Sequence, residues 1–153
     1  MSLSGSRPQL DVEIRLAGPQ DYARIAELAR QLGYESTTDE IAGRMAQMSG
    51  SPEHAVFVAQ SSDGKISGWI GLCILRMVEA DARVEVSGLV VDERARSQGI
   101  GRLLLDRGER WAREKGCRQI GLRTNVIRER AHAFYERQGY KHTKTQRTYR
   151  KDL

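Results

Sequence analysis

The residues best suited to chemistry in this chain form one short segment between an apolar stretch and an amphipathic one. It begins at Leu89-Val90-Val91 and continues through a polar turn in which Gly99 and Gly101 lie two residues apart. Glycines let the backbone approach a ligand closely, and a helix that begins there adds unpaired N–H donors and a positive dipole end. The arginines that flank the glycines are Arg94, Arg96 and Arg102. The segment is typical of a seat for a pyrophosphate.

Two common nucleotide-binding loops do not fit this segment. The Walker pattern needs lysine and then serine or threonine after its last glycine, whereas Gly101 is followed by Arg102 and Leu103. The dinucleotide pattern needs a third glycine where this chain has Leu104. The alternative interpretation is a plain strand-to-helix turn whose glycines serve packing. The flanking arginines favour the anion site.

Hydrophobic periodicity predicts the elements before this segment. Alternation predicts a strand over 12–16, and helical spacing predicts a helix from Tyr22 to the stop signal Gly33. A second helix opens with a capping box, Thr37 and Glu40, and ends at Gly50. Three strands joined by short turns predict an antiparallel meander. The predicted strands of the meander are 55–59, 66–76 and 83–91.

The pattern after the segment predicts a switch to parallel pairing. A long helix from Ile100 to Gly116 is followed closely by a strand over 119–124, which predicts a right-handed crossover. A short helix over 131–138 precedes a last extended segment over 140–151. The sequence therefore predicts one α/β domain with a mixed sheet over residues 12–153, after a flexible tail over 1–11.

Composition narrows the class of protein. The 153 residues are 39% hydrophobic and 29% charged, which is globular, and no apolar run is long enough to cross a bilayer. The net charge is +5, but 25 Lys and Arg are offset by 20 Asp and Glu, which favours a local anion site over nucleic-acid binding. Cys73 and Cys117 sit in apolar stretches and are predicted to be buried free thiols without a zinc-site spacing. These features predict a protein of the reducing cytoplasm.

Two motifs in the second half of the chain resemble those of the GNAT superfamily of N-acetyltransferases. Arg96-x-x-Gly99-x-Gly101 after Leu89-x-Val91 resembles its acyl-CoA signature, and Asn125, Ala131, Phe134-Tyr135 and Gly139-Tyr140 resemble its second motif. The resemblance runs from about Val12 to the C-terminus. It implies acetyl-CoA as donor and no metal. It also implies a twisted, largely antiparallel mixed sheet, flanked by about four helices, with a central parallel strand pair splayed into a V.

The resemblance implies where the acyl carrier binds. A pantetheine arm would satisfy the unpaired backbone edges where strands ending at Val91 and Asn125 diverge. Gly88 is consistent with a bulge that opens this edge and equally with a packing glycine. The implied cofactor-binding residues are Leu89, Val90, Val91, Arg96, Ser97, Gln98, Gly99, Ile100, Gly101, Arg102, Asn125 and Phe134.

The resemblance also implies two catalytic residues. Tyr135 matches the position that points at the sulfur, and a phenol with a pKa of about 10 can donate to a departing thiol with a pKa of about 8.5. Its alternative role is a core aromatic packed beside Phe134, in a different environment. Glu85 would take the amine proton, directly or through water; alternatively it faces solvent or pairs with an arginine. Ser87, or no protein group at all, could serve as base instead.

Other polar residues near the second motif have two interpretations each. Asn125 would hydrogen-bond the amide of the carrier or an ordered water, although asparagine is also common where strands end. Arg128 and Arg130 either reach the nucleotide phosphate or sit in water. Ser97 stands where the family often has glycine. The tail after Gly139 predicts one long strand or a very tight pair, so we hypothesise that a second subunit completes the acceptor pocket.

The predicted function is transfer of the acetyl group of acetyl-CoA to a primary amine of a small-molecule or peptide acceptor, by direct attack on the thioester. One alternative is a protein or peptide N-acetyltransferase, and another is a non-catalytic acyl-CoA-binding or regulatory module. Tyr135 argues against pure binding, because a binder has no need of a phenol at the sulfur. Only the pI, about 9.5, favours a nucleic-acid binder. No membrane partner is predicted.

Overall fold

A computed structural model describes residues 10–153, so most of the predicted tail over 1–11 lies outside the described residues. The elements in chain order are β1 Val12–Leu16, α1 Tyr22–Gln31, α2 Thr38–Met48, β2 His54–Ser61, β3 Ile66–Leu75, β4 Arg83–Val91, α3 Ile100–Glu114, β5 Ile120–Leu122 and α4 Glu129–Arg137. Single turns of 3-10 helix at Pro19–Asp21 and Glu93–Ala95 precede α1 and α3. The predicted elements up to α4 are confirmed, with β5 shorter than expected.

The strands form one mixed sheet in the order β1-β2-β3-β4-β5. The first four strands are antiparallel neighbours, as the short turns between them predict. Helix α3 carries the chain back so that β5 lies parallel to β4, and the N–H of Val84 donates to the carbonyl oxygen of Gln119 at 3.0 Å. The mixed sheet with a parallel pair and four helices confirms the predicted fold class.

A β-bulge interrupts β4 in its middle. Gly88 pairs with Gly71 and Val86 pairs with Leu72, so Ser87 has no partner on β3. A Cβ built on Gly88 would lie 2.8 Å from two ring carbons of Trp69. Both interpretations of Gly88 are therefore correct, because it belongs to the bulge and also leaves room for the indole. Strand β5 ends at Leu122, so it reaches only the first part of β4.

Helices cover both faces of the sheet. On one face α1 and α2 pack against Val58, Ile66 and Val90. On the other face α3 lies close, because Gly108 has no side chain where a Cβ would come within 3.3 Å of Ile70 and Leu72. Strand β3 is thus buried over most of its length, which accounts for its nearly continuous apolar sequence.

The chain divides into two compact units, the first ending at Gly121 and the second running over Leu122–Leu153. In the second unit α4 is followed by residues 141–153, which are exposed and form no strand or helix. The predicted closing strand or strand pair is therefore wrong. The apolar side chains there, Tyr149 and Leu153, are both exposed, so a strand would have had no apolar face to bury.

The charge of the chain is unevenly distributed between the two units. Nine of the 25 Lys and Arg but three of the 20 Asp and Glu lie in residues 122–153, so this unit carries +6 and the remainder −1. The basic pI is thus a property of the last residues rather than of the whole surface. None of the described helices has the length and apolarity that crossing a bilayer requires.

A partly buried ion pair joins strand β1 to the start of α1. Two guanidinium nitrogens of Arg15 donate to the carboxylate of Asp21 at 2.7 and 2.8 Å, and the N–H of Gly18 donates to it at 2.8 Å. The Asp21 side chain is only 3% exposed. The hydrogen bonds from Arg15 hold the pKa of Asp21 below its ordinary value of 3.8, against the opposing effect of burial.

We predict that Asp21→Asn lowers the free energy of unfolding by about 2 kcal/mol at pH 6, because Arg15 loses its charged partner. A carboxyl with a depressed folded-state pKa stabilises above its unfolded pKa and loses that effect as the pH falls through the folded value. The difference between wild type and variant should therefore persist in urea denaturation at pH 4.5 and shrink at pH 3.5 and below. Glu35→Gln, at an exposed carboxylate, is the control. A difference independent of pH would contradict this account.

Candidate functional site

The turn between β4 and α3 has an unusual backbone. Ser97 has a φ of 65° and Gly99 a φ of 87°, and Ser97 is the only non-glycine residue in the described chain with a positive φ. The left-handed region costs an L-residue roughly 1–2 kcal/mol and costs glycine almost nothing. Ser97 therefore occupies a position that glycine would fill without strain. The two left-handed residues turn the chain sharply just before the helix.

This backbone leaves N–H donors at the start of α3 without helical partners. The N–H of Leu103 makes the first bond of the helix, to the carbonyl oxygen of Gly99 at 3.1 Å. The N–H groups of Ile100, Gly101 and Arg102 precede it and have no carbonyl within the helix to bond. The side chain of the N-cap residue offers no acceptor, since that residue is glycine. Left-handed residues beside such donors form a concave anion-binding arrangement.

The predicted cofactor-binding residues of the first unit differ in whether their backbone or their side chain is accessible to a ligand. Val90 and Ile100 are each 3% exposed, so only their backbone groups are available. Arg96 is exposed, and its Nε donates to the carbonyl oxygen of Val91 at 3.3 Å. Arg102 is also exposed, 3.9 Å from the Asp106 carboxylate. Gln98 and Ser97 are exposed, whereas Leu89 and Val91 are half-buried. The backbone is thus the main source of donors, with two arginines nearby.

Glu85 and Ser87 lie on one face of the sheet, as the sequence predicts. Glu85 pairs with Cys73 on β3, and Ser87 Oγ lies 2.8 Å from where Gly71 would carry a Cβ. Gly71 and Cys73 are two residues apart on one strand and so share a face. The Glu85 carboxylate is 14% exposed and lies 3.9 Å from the Arg83 guanidinium. Burial, and then this carboxylate, raise the pKa of the Cys73 thiol.

Both cysteines are free, as predicted, but they are partly exposed rather than buried. Cys73 is partly exposed to solvent because it lies toward the end of β3, beyond the residues against which α1 and α2 pack. In the part of the chain that the structure describes, no three His, Cys, Asp or Glu side chains are placed to hold a metal ion.

Tyr135 belongs to an aromatic cluster in the second unit. Its ring lies 5.2 Å from that of Phe134 and 6.1 Å from that of Tyr140, measured between centroids. Phe134 and Tyr135 are both half-buried, and the Tyr140 ring contacts that of Tyr135. The helix ends just after them, which lets the chain fold Tyr140 back against Tyr135. Burial raises the pKa of the Tyr135 phenol above its ordinary value, and Arg128 opposes that effect.

Asn125 organises the turn that leads into α4. Its Oδ1 accepts from the N–H of Ile127 at 3.1 Å, and its carbonyl oxygen accepts from the N–H of Arg128 at 3.0 Å. His132 Nε2 lies 2.9 Å from the same carbonyl oxygen. This arrangement agrees with the structural interpretation of asparagine after a strand. Arg128 and Arg130 are exposed.

Sequence reasoning missed two residues beside these elements. Trp69 was not singled out, yet its ring fills the space above Gly88. Asp92 carries no recognisable signal within the polar turn, yet its carboxylate is bonded to α1. No local pattern could have shown either contact, since the partners lie 19 or more residues apart in the chain. Only the register of the sheet and the packing of α1 bring them together.

Comparison with known proteins identifies the family. Residues 22–140 match the Acetyltransferase (GNAT) family. Aminoglycoside N(6')-acetyltransferase type 1 of Stenotrophomonas maltophilia is 29% identical over 134 residues, which cover 85% of this chain and 86% of that protein. Aminoalkylphosphonate N-acetyltransferase of Salmonella typhimurium is 33% identical over 135 residues, which cover 84% of each chain.

A solved structure agrees in fold. The structure of AAC(6')-Iy in complex with the bisubstrate analogue CoA-S-monomethyl-acetylneamine superposes with a TM-score of 0.81, covering 93% of this chain and 99% of that one. Its sequence identity to this chain is 22%, so the similarity is evidence of a shared fold only. The family match spans both motifs and most of the sheet. This chain therefore belongs to the Acetyltransferase (GNAT) family and is an N-acetyltransferase.

Proposed function

We propose that this enzyme moves the acetyl group of acetyl-CoA to a primary amine of a small-molecule acceptor, by direct attack of the amine on the thioester. The observation that carries the proposal is the turn of Ser97 and Gly99, which leaves free N–H donors at the start of α3. A diphosphate suits such a turn, because its oxygens accept several N–H groups and its charge suits the helix dipole. The two relatives are named for small-molecule amines, which supports an acceptor of that size.

The edge of β4 supports the binding of the pantetheine arm. From Ser87 to Val91 this strand continues beyond the end of β5. Backbone groups of Leu89 and Val91 there can bond the amides of an extended ligand as a strand would. When bound, acetyl-CoA supplies the thioester carbonyl that the amine attacks. We propose that no metal takes part.

Glu85 and Tyr135 would move the protons of the reaction. The amine must be neutral to attack, and the half-buried Glu85 carboxylate can take its proton, directly or through water. The thiol that leaves needs a proton, and the Tyr135 hydroxyl can donate it. A phenol, with an ordinary pKa of about 10, is protonated at neutral pH and so carries the proton that the thiol needs.

Residues 141–153 add no strand to the sheet, which supports a homodimer in which the partner completes the acceptor pocket. A monomeric mass in solution would contradict this part of the proposal. Two free thiols in 153 residues support a cytoplasmic enzyme.

Ligand-dependent thermal unfolding tests the proposed function directly. We expect acetyl-CoA at about 100 times its Kd to stabilise the protein by about 2.7 kcal/mol, and short duplex DNA to leave the melting temperature unchanged. The reverse result would support a nucleic-acid binder. A panel of amino sugars, polyamines, aminophosphonates and peptides, assayed for release of free thiol, then identifies the acceptor. Acetyl-CoA binding without turnover on any amine would favour a non-catalytic module.

Gly99→Glu should abolish binding of CoA, because the substitution places bulk and negative charge at the diphosphate. Gly116→Glu is a matched control, since Gly116 also has a positive φ, 75°, and lies at the other end of α3 with open space around it. Both variants carry similar backbone strain, so only the first should lose CoA in calorimetry. Equal loss in the two variants would indicate a general effect on α3.

Tyr135→Phe should leave the Kd for acetyl-CoA nearly unchanged and lower kcat about 100-fold, since general acid catalysis typically contributes that much or more. Tyr149→Phe, at a tyrosine that is 86% exposed, controls for the loss of a phenol elsewhere. Steady-state kinetics with the amine found in the panel provide the measurement. A parallel loss of binding and turnover would show that Tyr135 has a structural role.

A further inference from the structure

Asp92 joins β4 to the turn that carries Ser97 and Gly99. Its backbone N–H donates to the carbonyl oxygen of Ser67 at 2.7 Å, so the residue is still held by the sheet. Its side chain is 14% exposed. The N–H of Arg94 donates to Asp92 Oδ1 at 3.2 Å, which is the usual capping bond of a short helical turn. This local bond accounts for an aspartate here, but not for its other partners.

Two side chains of α1 reach Asp92 from far away in the sequence. Arg24 donates to Asp92 Oδ2 at 2.5 Å, and Gln31 Nε2 donates to Oδ1 at 3.4 Å. Residues seven apart lie on the same face of a helix, so α1 presents both groups to the junction. Arg24 also donates through Nε to the carbonyl oxygen of Ile66 at 3.0 Å, which fixes its guanidinium against the sheet.

Gln31 also holds the backbone of the turn. Its Oε1 accepts from the N–H of Glu93 at 3.0 Å while its Nε2 contacts Asp92. One amide therefore bonds two consecutive residues of the turn. The pKa of the Asp92 carboxyl lies below its ordinary range, because of the Arg94 N–H first and then Arg24. The carboxylate is thus charged when it meets the Arg24 guanidinium.

The turn needs such support because it contains a strained residue. Ser97 in the left-handed region persists only where the surrounding structure fixes the chain. Ile100 is buried and fixes the far side of the turn. On the near side, the contacts from Arg24 and Gln31 fix Asp92 and Glu93. The exposed residues between are thus held at both ends.

We propose that Arg24 and Gln31 are positioning residues for the acyl carrier, because they hold the start of the diphosphate-binding turn in its binding geometry. The inference rests on the proposed function, since it takes this turn as the seat of the diphosphate. Neither residue needs to touch the ligand. A turn that is already ordered loses less conformational entropy when it binds, so the contacts with α1 raise affinity for CoA without taking part in the chemistry.

The test measures CoA binding by calorimetry on three purified variants. Arg24→Met keeps the length of the side chain but removes the ion pair, and the Kd for CoA should rise about tenfold. Gln31→Ala should raise the Kd about threefold. The effect is smaller because the Gln31 amide is neutral, so its hydrogen bonds to Asp92 and Glu93 are weaker than an ion pair. Glu27→Gln is the matched control: it removes the exposed carboxylate 3.1 Å from Arg24 and leaves Asp92 untouched. It should stay within about twofold of wild type.

Two further measurements separate positioning from a general loss of stability. Arg24→Lys restores a positive charge near Asp92 and should recover much of the affinity. Amide hydrogen exchange over residues 93–99 of the free protein should be faster in Arg24→Met than in Glu27→Gln. If Arg24→Met fails to fold, Gln31→Ala decides the question, since Gln31 lies at the end of α1 and is partly exposed.

The outcomes distinguish this inference from the proposed function. If the wild type binds CoA and both Arg24→Met and Gln31→Ala bind it with the same Kd, the positioning role is overturned and the proposed function stays intact. A wild-type protein that does not bind CoA would contradict the proposed function itself. Loss of affinity in Glu27→Gln as large as in Arg24→Met would also overturn the inference, because the ion pair with Asp92 would then not be the cause.

Discussion

The turn between β4 and α3 is constrained by what is buried on either side of it. Val90 before the turn and Ile100 after it are both fixed in the core, and only nine residues separate them. The chain must leave a buried strand, reverse and enter a buried helix within that length. Left-handed backbone at Ser97 and Gly99 makes the reversal possible. The same geometry leaves the first N–H groups of α3 without helical partners, so the backbone that reverses the chain also supplies the donors of the proposed anion site.

Strand β4 links this turn to the other parts of the candidate site. Its bulge leaves Ser87 without a partner on β3, and Ser87 keeps the face of the sheet that Glu85 occupies. Beyond the bulge, its edge extends past the end of β5. One strand thus carries a carboxylate, an edge with available backbone groups and the start of the turn. The two halves of the strand differ in their neighbours: the half before the bulge lies beside β5, and the half after it does not.

Much of this arrangement follows from local sequence. Apolar periodicity places the helices and strands, and the pair Thr37 and Glu40 marks the start of α2, where both bonds of the capping box form. The glycines of the turn are the local signal from which the anion site is predicted. The contact of Asp92 with α1 could not be predicted, since it depends on how distant elements pack. The last residues were predicted to form strand because they look extended, but a strand needs a partner and an apolar face, and residues 141–153 have neither in the described structure.

The indole of Trp69 and the missing side chain of Gly88 share one volume. A methyl group at position 88 would come within 2.8 Å of the ring, and a smaller residue at position 69 would leave a void against Val58 and Val90. Neither position can change alone without overlap or loss of packing. Over evolutionary time the two should therefore be exchanged together, a large residue at one accompanying a small residue at the other. In relatives of this enzyme, such paired replacement would be expected where the bulge of β4 is retained.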